Sequence, residues 1–164
     1  MRILGLDPGL RHTGWGLIDK QGPKLFFVAA GVINPNDKLP LADRLVELHN
    51  ALRQVVNDWQ PDTAAVEETF VNKNPSSTLK LGQARGVVLM TPALYGLDVG
   101  EYTPNQIKKT ITGVGHAEKT QVDMMVHTLL KTVPEGIPPD ASDALAIALT
   151  HGFLGIPQHN ILGH

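Results

Sequence analysis

The stretch that most narrows the possible folds is an apolar repeat followed by an acidic strand end. Leu41, Leu45, Leu48, Leu52, Val55, Val56 and Trp59 recur mostly at steps of three and four, which places them on one face of a helix. A helix with such a face buries it against a broad partner, and a sheet is the natural one. Pro61 closes the helix, and Thr63-Ala64-Ala65-Val66 then reads as a buried parallel strand reached by a crossover. Glu67 and Glu68 stand at its end. Side chains alternate sides along a strand, so only one of the two glutamates faces a given cleft. Taken alone, either one reads as a solvated acid at a strand end.

The other elements fit around this unit. Residues 2–6 read as a short buried strand, and Asp7-Pro8-Gly9 turns the chain, so Asp7 sits at a carboxyl end. Residues 13–18 and 25–33 follow as two more strands across the turn-prone Lys20-Gln21-Gly22-Pro23, an antiparallel meander. Ser76 or Ser77 is placed to cap a helix running through residues 79–95. The small residues Gly82, Ala84 and Gly86 in it suit close contact with another subunit or, equally, core packing. Residues 99–102 read as a strand, Thr103-Pro104-Asn105-Gln106 as a helix start, and residues 118–133 as a helix with an apolar side at Val122, Met125, Val126, Leu129 and Val133. The order is that of a mixed α/β sheet flanked by helices.

The 164 residues suit one domain, expected over residues 1–155, with a short tail at 156–164. No run of about 18 apolar residues is present, and the first acid comes too early for a signal peptide, so no membrane partner is expected and the chain reads as soluble and cytoplasmic. With no cysteine, any metal would sit on oxygen or imidazole, which favours a hard cation. A net charge of -2 argues against a general nucleic-acid coat, yet leaves room for a local basic face. Between residues 103 and 122 the chain carries Lys108, Lys109 and Lys119 against Glu118 alone, with Lys73, Lys80 and Arg85 upstream. That region is the expected anion-binding surface. Lys119 falls in the first turn of its helix, either as a solvated cation or as part of a phosphate site. The histidines show no ligand spacing, and His151, His159 and His164 read as surface or tail residues.

Pro138-Pro139-Asp140-Ala141-Ser142-Asp143 opens the last helix, with Asp140 and Asp143 three apart on one face of its first turn. Alone, the pair reads as a capping box. Phe70, just past the acidic strand end, suits either the core or stacking on a base. Carboxylates at the ends of the first and fourth strands and at the start of the last helix converge at one sheet edge, as in ribonuclease-H-like folds.

Five segments together resemble the RuvC family of Holliday-junction resolvases. They are Gly5-Leu6-Asp7-Pro8-Gly9 with Thr13-Gly14-Trp15-Gly16, Val66-Glu67 through Phe70, Lys80-Leu81-Gly82-Gln83-Ala84-Arg85-Gly86, Ala117-Glu118-Lys119, and Asp140-Ala141-Ser142-Asp143-Ala144-Leu145-Ala146. The resemblance spans roughly residues 1–151. It implies a ribonuclease-H-like mixed five-stranded sheet and a homodimer that nicks two opposing strands of four-way junction DNA, leaving 5'-phosphate and 3'-hydroxyl ends. It also implies that Asp7, Glu67, Asp140 and Asp143 hold Mg2+, or Mn2+ in its place, as two ions about 3.5 to 4 Å apart. Lys119 would stabilise charge near the scissile phosphate, Lys108, Arg85 and Lys73 would contact the backbone, and Phe70 would stack on an unpaired base. A branch-migration helicase complex is the implied partner.

Two features depart from the family pattern: the slightly acidic balance with its uncharged end, Asn160-Ile161-Leu162-Gly163-His164, and Glu68 beside Glu67. Both bear on DNA affinity. Alternatives are a nuclease of the same fold acting on RNA-DNA hybrids and a non-catalytic junction-binding module. An actin-like kinase would need a second phosphate hairpin and a second domain, for which the chain has neither motif nor room.

Overall fold

The strand Arg2–Asp7 (β1) sends Ile3 and Gly5 to one side and Leu4 and Leu6 to the other, and the two layers of the protein follow that division. The computed structural model describes residues 1–68 and 73–155. Strands Thr13–Gln21 (β2) and Lys24–Ile33 (β3) complete the antiparallel meander. Strands Thr63–Glu67 (β4) and Val99–Tyr102 (β5) add to the other side of β1 in parallel, giving the order β3-β2-β1-β4-β5.

Helices Leu41–Trp59 (α1) and Pro75–Leu94 (α2) cover one face, where Leu48, Leu52, Val56, Ala84 and Val88 meet Leu4, Leu6, Leu17 and Val66. The apolar repeat of α1 is the reason: its buried residues are Leu48, Leu52, Val55 and Val56, and truncating a fully buried leucine such as Leu52 to alanine removes roughly 2–5 kcal/mol. Gln60 turns left-handed after the helix, with Pro61 behind it.

Helices Pro104–Thr112 (α3), Lys119–Leu129 (α4) and Pro139–Leu154 (α5) cover the other face. Between Ala141 and Gly152 every residue of α5 except Asp143 is buried, so this helix is apolar all round rather than on one stripe. Glycines let it lie that deep. A Cβ on Gly5 would fall 2.0 Å from the Ala144 carbonyl oxygen, and one on Gly14 would fall 2.0 Å from that of Asp140.

Three expectations need correction. Asn74, not Ser76 or Ser77, caps α2: its Oδ1 accepts from the Ser76 and Ser77 N–H groups at 3.0 and 3.4 Å, with Pro75 in the first helical position. The fourth helix ends at Leu129 instead of running to Val133, because a helical Pro134 would clash with the Leu130 carbonyl four residues back, although Val133 stays buried. His151 is no surface residue. It is 1% exposed, its Nδ1 shares a 2.6 Å hydrogen bond with the Tyr102 hydroxyl, and its Nε2 shares one of 3.0 Å with Thr63 Oγ1. One turn after Ile147 it lies on the sheet-facing side of α5, and burial lowers its pKa. His159, His164 and the expected tail at 156–164 lie outside the described residues.

Candidate active site

Asp7 and Glu67 follow the paired residues Leu6 and Val66 at the carboxyl ends of two adjacent parallel strands. Alternation then decides between the two glutamates: Ala65 faces the α5 layer, so Glu67 does too, and Glu68 turns away. The Glu68 N–H instead continues the ladder to the Tyr102 carbonyl at 2.8 Å. From above, α5 brings its first turn onto Gly14, the residue paired with Asp7 across β1 and β2. One carboxylate oxygen from each of Asp7, Asp140 and Asp143 lies within 4.8 Å of the other two. Glu67 stands beside this triangle and shares a hydrogen bond with Asp7.

The capping reading of Asp140 and Asp143 does not hold. Pro138 occupies the cap position, and no side chain caps the helix. The acids are gathered without the reward a cap would bring, and their charges oppose one another. At an effective dielectric of about 20, two carboxylates 4.8 Å apart repel by roughly 3 kcal/mol. Asp7 shows the strain most, its pKa pushed up to about 8 by burial first and then by Glu67, Asp143 and Asp140. Burial also raises Glu67, aided by Asp143, and raises Asp143 against the pull of Lys119. With Asp7 holding the proton, Glu67 accepts the bond between them. An all-oxygen, multiply anionic donor set of this kind fits a hard divalent cation, whose charge removes the repulsion.

Two lysines stand beside the acids. Lys119 Nζ meets Asp143 Oδ2 at 3.1 Å, and that bond raises the lysine's pKa. Its side chain is 65% exposed, so the pair adds little stability and leaves the ammonium free to turn to another anion. Lys108 is placed by a capping box at the start of α3, where Thr103 Oγ1 accepts from the Gln106 N–H and Gln106 Oε1 accepts from the Thr103 N–H. Lys108, Lys119, Glu67 and Asp143 line one cleft of about 250 Å³, floored by Ile107, Val122 and Ile147.

The remaining expected site residues fall elsewhere. Arg85 is occupied within the protein: its Nε donates to the Glu67 carbonyl at 3.3 Å and its Nη2 pairs with Glu101, so it braces the end of β4. Lys73 stands exposed just ahead of the Asn74 cap. Phe70 lies outside the described residues. One brace went unread in the sequence. Ser142, between the two last-helix acids, donates its hydroxyl to the Asp123 carboxylate of α4, one turn beyond Lys119, which ties the lysine's helix to the acids' helix.

A mixed sheet in this order, helices on both faces and acids at the ends of β1, β4 and the start of α5 define a ribonuclease-H-like protein. A family model described as crossover junction endodeoxyribonuclease RuvC matches residues 3–151. Relatives of that name from Azorhizobium caulinodans and Rhodopseudomonas palustris (strain BisA53) are 59% and 56% identical over 152 and 153 residues, covering 92% of this chain and 89% and 86% of theirs. A solved structure described as T. thermophilus RuvC in complex with Holliday junction substrate is 34% identical and covers 94% of each chain, with a TM-score of 0.87. The chain belongs to the RuvC family of crossover junction endodeoxyribonucleases.

Proposed function

We propose that this chain resolves four-way DNA junctions in recombination and repair, nicking two opposing strands symmetrically to leave 5'-phosphate and 3'-hydroxyl ends. The observation that carries the reading is the convergence of Asp7, Asp140 and Asp143 within 4.8 Å, with Glu67 alongside, at the edge of a cleft that also holds Lys108 and Lys119. The four acids hold Mg2+, with Mn2+ able to substitute, as two ions per site. When bound, such ions supply Lewis-acid activation of water and of the phosphoryl group. Lys119 can leave Asp143 for the scissile phosphate and stabilise the charge that grows on it, while Lys108 holds the backbone from the opposite wall. Phe70 stacks on an unpaired base at the crossover, Lys73 contacts a flanking phosphate, and Arg85 keeps Glu67 in register.

One such site reaches one strand, so paired nicks require two protomers about a two-fold axis. The outer side of α2 suits that interface. Leu79, Met90, Leu94 and Tyr95 are exposed on it, and a Cβ on Gly82 or Gly86 would meet nothing within 4 Å, so core packing does not account for these small residues. A branch-migration helicase complex is the partner proposed from family resemblance, in the cytoplasm, and among the described residues no helix is long and apolar enough to cross a membrane. The test is Mg2+-dependent cleavage of a synthetic mobile junction, mapped on all four strands, beside a matched RNA-DNA hybrid. Symmetric cuts on two opposing strands are expected. Preferential hybrid cleavage would instead establish the ribonuclease reading, and binding without cleavage a junction-binding module.

A further inference from the structure

Across the Asp7-Pro8-Gly9 turn from the acids lies a second recess, with Gly9 at its rim. Arg11 from the β1–β2 loop, Arg44 from α1 and Lys80 from α2 all line it. Three cations from three elements thus share one small hollow, and none of them pairs with an acid among the described residues. Arg11 and Lys80 are exposed, so both can turn toward an anion held at the recess.

Arg44 carries the strongest sign. Its Nη2 donates to the Leu10 carbonyl at 3.3 Å, while its Nε is shut off from water with no acceptor among the described residues. A buried charged donor left without a partner is costly, and folded proteins rarely leave one. Meeting an oxyanion with Nε and one Nη, the two-bond edge of a guanidinium, therefore takes a shift of the Arg44 side chain toward the recess. The recess is narrow, about 30 Å³ against about 250 Å³ for the acid-lined cleft.

Its position names the source of that phosphate. Gly9 is two residues from Asp7, so at most about 8 Å separates their backbones. A DNA strand offers a phosphate about every 3.4 Å along its axis. A strand lying with its scissile phosphate at the acids therefore carries a neighbouring phosphate past the turn. We propose that Arg11, Arg44 and Lys80 form a second phosphate site that grips the backbone of the strand being cut, on the opposite side of the Asp7-Pro8-Gly9 turn from the acids. This site rests on the junction-cleaving reading and supplies cations that the acid-lined cleft, with two lysines, lacks.

The test is junction binding by the full chain in EDTA across a salt series. The variants are Arg11→Gln with Lys80→Gln, both exposed and not needed for the core, and the same pair with Arg44→Gln. Lys24→Gln serves as the control, since it removes one positive charge at the β2–β3 hairpin, at the opposite end of the sheet from Asp7. Each lost phosphate contact lowers the slope of log affinity against log salt by about 0.9, so the double variant should lose about 1.8 and the triple about 2.7, with the control unchanged. A double variant that keeps the parental slope and affinity overturns the site, even if the triple variant fails to fold. A loss of about 0.9 from Lys24→Gln overturns it too, by showing that only overall charge matters. If the parent binds and cuts junctions while the variants keep its slope, the function stands and the recess alone is withdrawn. A parent that binds no junction withdraws both.

Discussion

Helices α5 and α2 are both built from small residues, and they use them in opposite directions. Along α5 the small side chains and the glycines beneath them make contact within the chain: Gly5 meets Ala144, Gly14 meets Asp140, and nearly the whole helix is buried. Along α2, Gly82 and Gly86 face open space beside Leu79, Met90 and Leu94. One helix has its close contact within the protomer, whereas the other leaves its glycines uncovered there. The two also differ in charge. The first turn of α5 carries acids into a crowded cluster, while α2 holds no carboxylate at all. A small-residue stripe thus reads alike in both helices, and only the fold shows which of the two is packed within the protomer.

The largest effect should come from filling a socket under α5. Gly5→Ala places a methyl 2.0 Å from the Ala144 carbonyl, a backbone atom that cannot step aside. A loss of about 3 kcal/mol or more is expected in denaturant unfolding, at or above the upper end for overpacking. Parental stability in Gly5→Ala would mean that α5 does not lie on β1 as described.

Next in size is a pH effect confined to the α5 end. Folded Asp7 keeps its proton up to about pH 8, whereas in the unfolded chain it titrates near 3.8. Between those values the native state holds more protons, so this group's contribution to stability is full below about pH 4 and is lost as pH rises through about 8. His151 works the other way, because burial lowers its pKa and stability gains as it deprotonates, but it is the same in parent and variant. In EDTA, Asp7→Asn should therefore melt increasingly above the parent as pH is raised from 5 to 8. A constant difference over that range would show that the acids do not repel in the metal-free protein.

The smallest effect sharpens the contrast from the α2 side. Gly82→Ala meets nothing within the protomer, so helix propensity alone should stabilise the single chain by up to about 1 kcal/mol. The same methyl should weaken self-association in sedimentation if α2 meets a second copy. A protein that remains a 17.7 kDa monomer at micromolar concentration, with and without junction DNA, would remove the interface from α2 altogether.

Much of this was legible in the residues because it is local. The α1 repeat runs from Leu41 to Trp59 as its periodicity implies, and Asp7, Glu67, Asp140 and Asp143 stand at element ends that turn and helix-start signals mark. What escaped is tertiary. Gly5 and Gly14 read as ordinary strand and turn glycines until α5 is laid over them. Ser142 and Asp123 are nineteen residues apart on different helices, and Arg85 finds Glu101 sixteen residues on, so neither pair has a local signature. His151 has the period of a buried position, but a lone histidine near a chain end gives no sign of the Tyr102 and Thr63 partners that make burial tolerable. The serines were the expected cap where Asn74 is the actual one, because asparagine and serine cap about equally well.

The central claim is that the first turn of α5 exists to complete a metal site. Asp140→Asn tests it most directly, because Asp140 makes no cap and asparagine changes its charge with little change of shape. Cleavage of a mobile junction in Mg2+ and binding of the same junction in EDTA should be measured side by side, with melting temperatures in both conditions. Cleavage should vanish while binding persists, the melting temperature in EDTA should hold or rise, and the increase that Mg2+ gives the parent should shrink. Near-parental cleavage by Asp140→Asn would contradict the assignment and take Asp140 and Asp143 out of the chemistry.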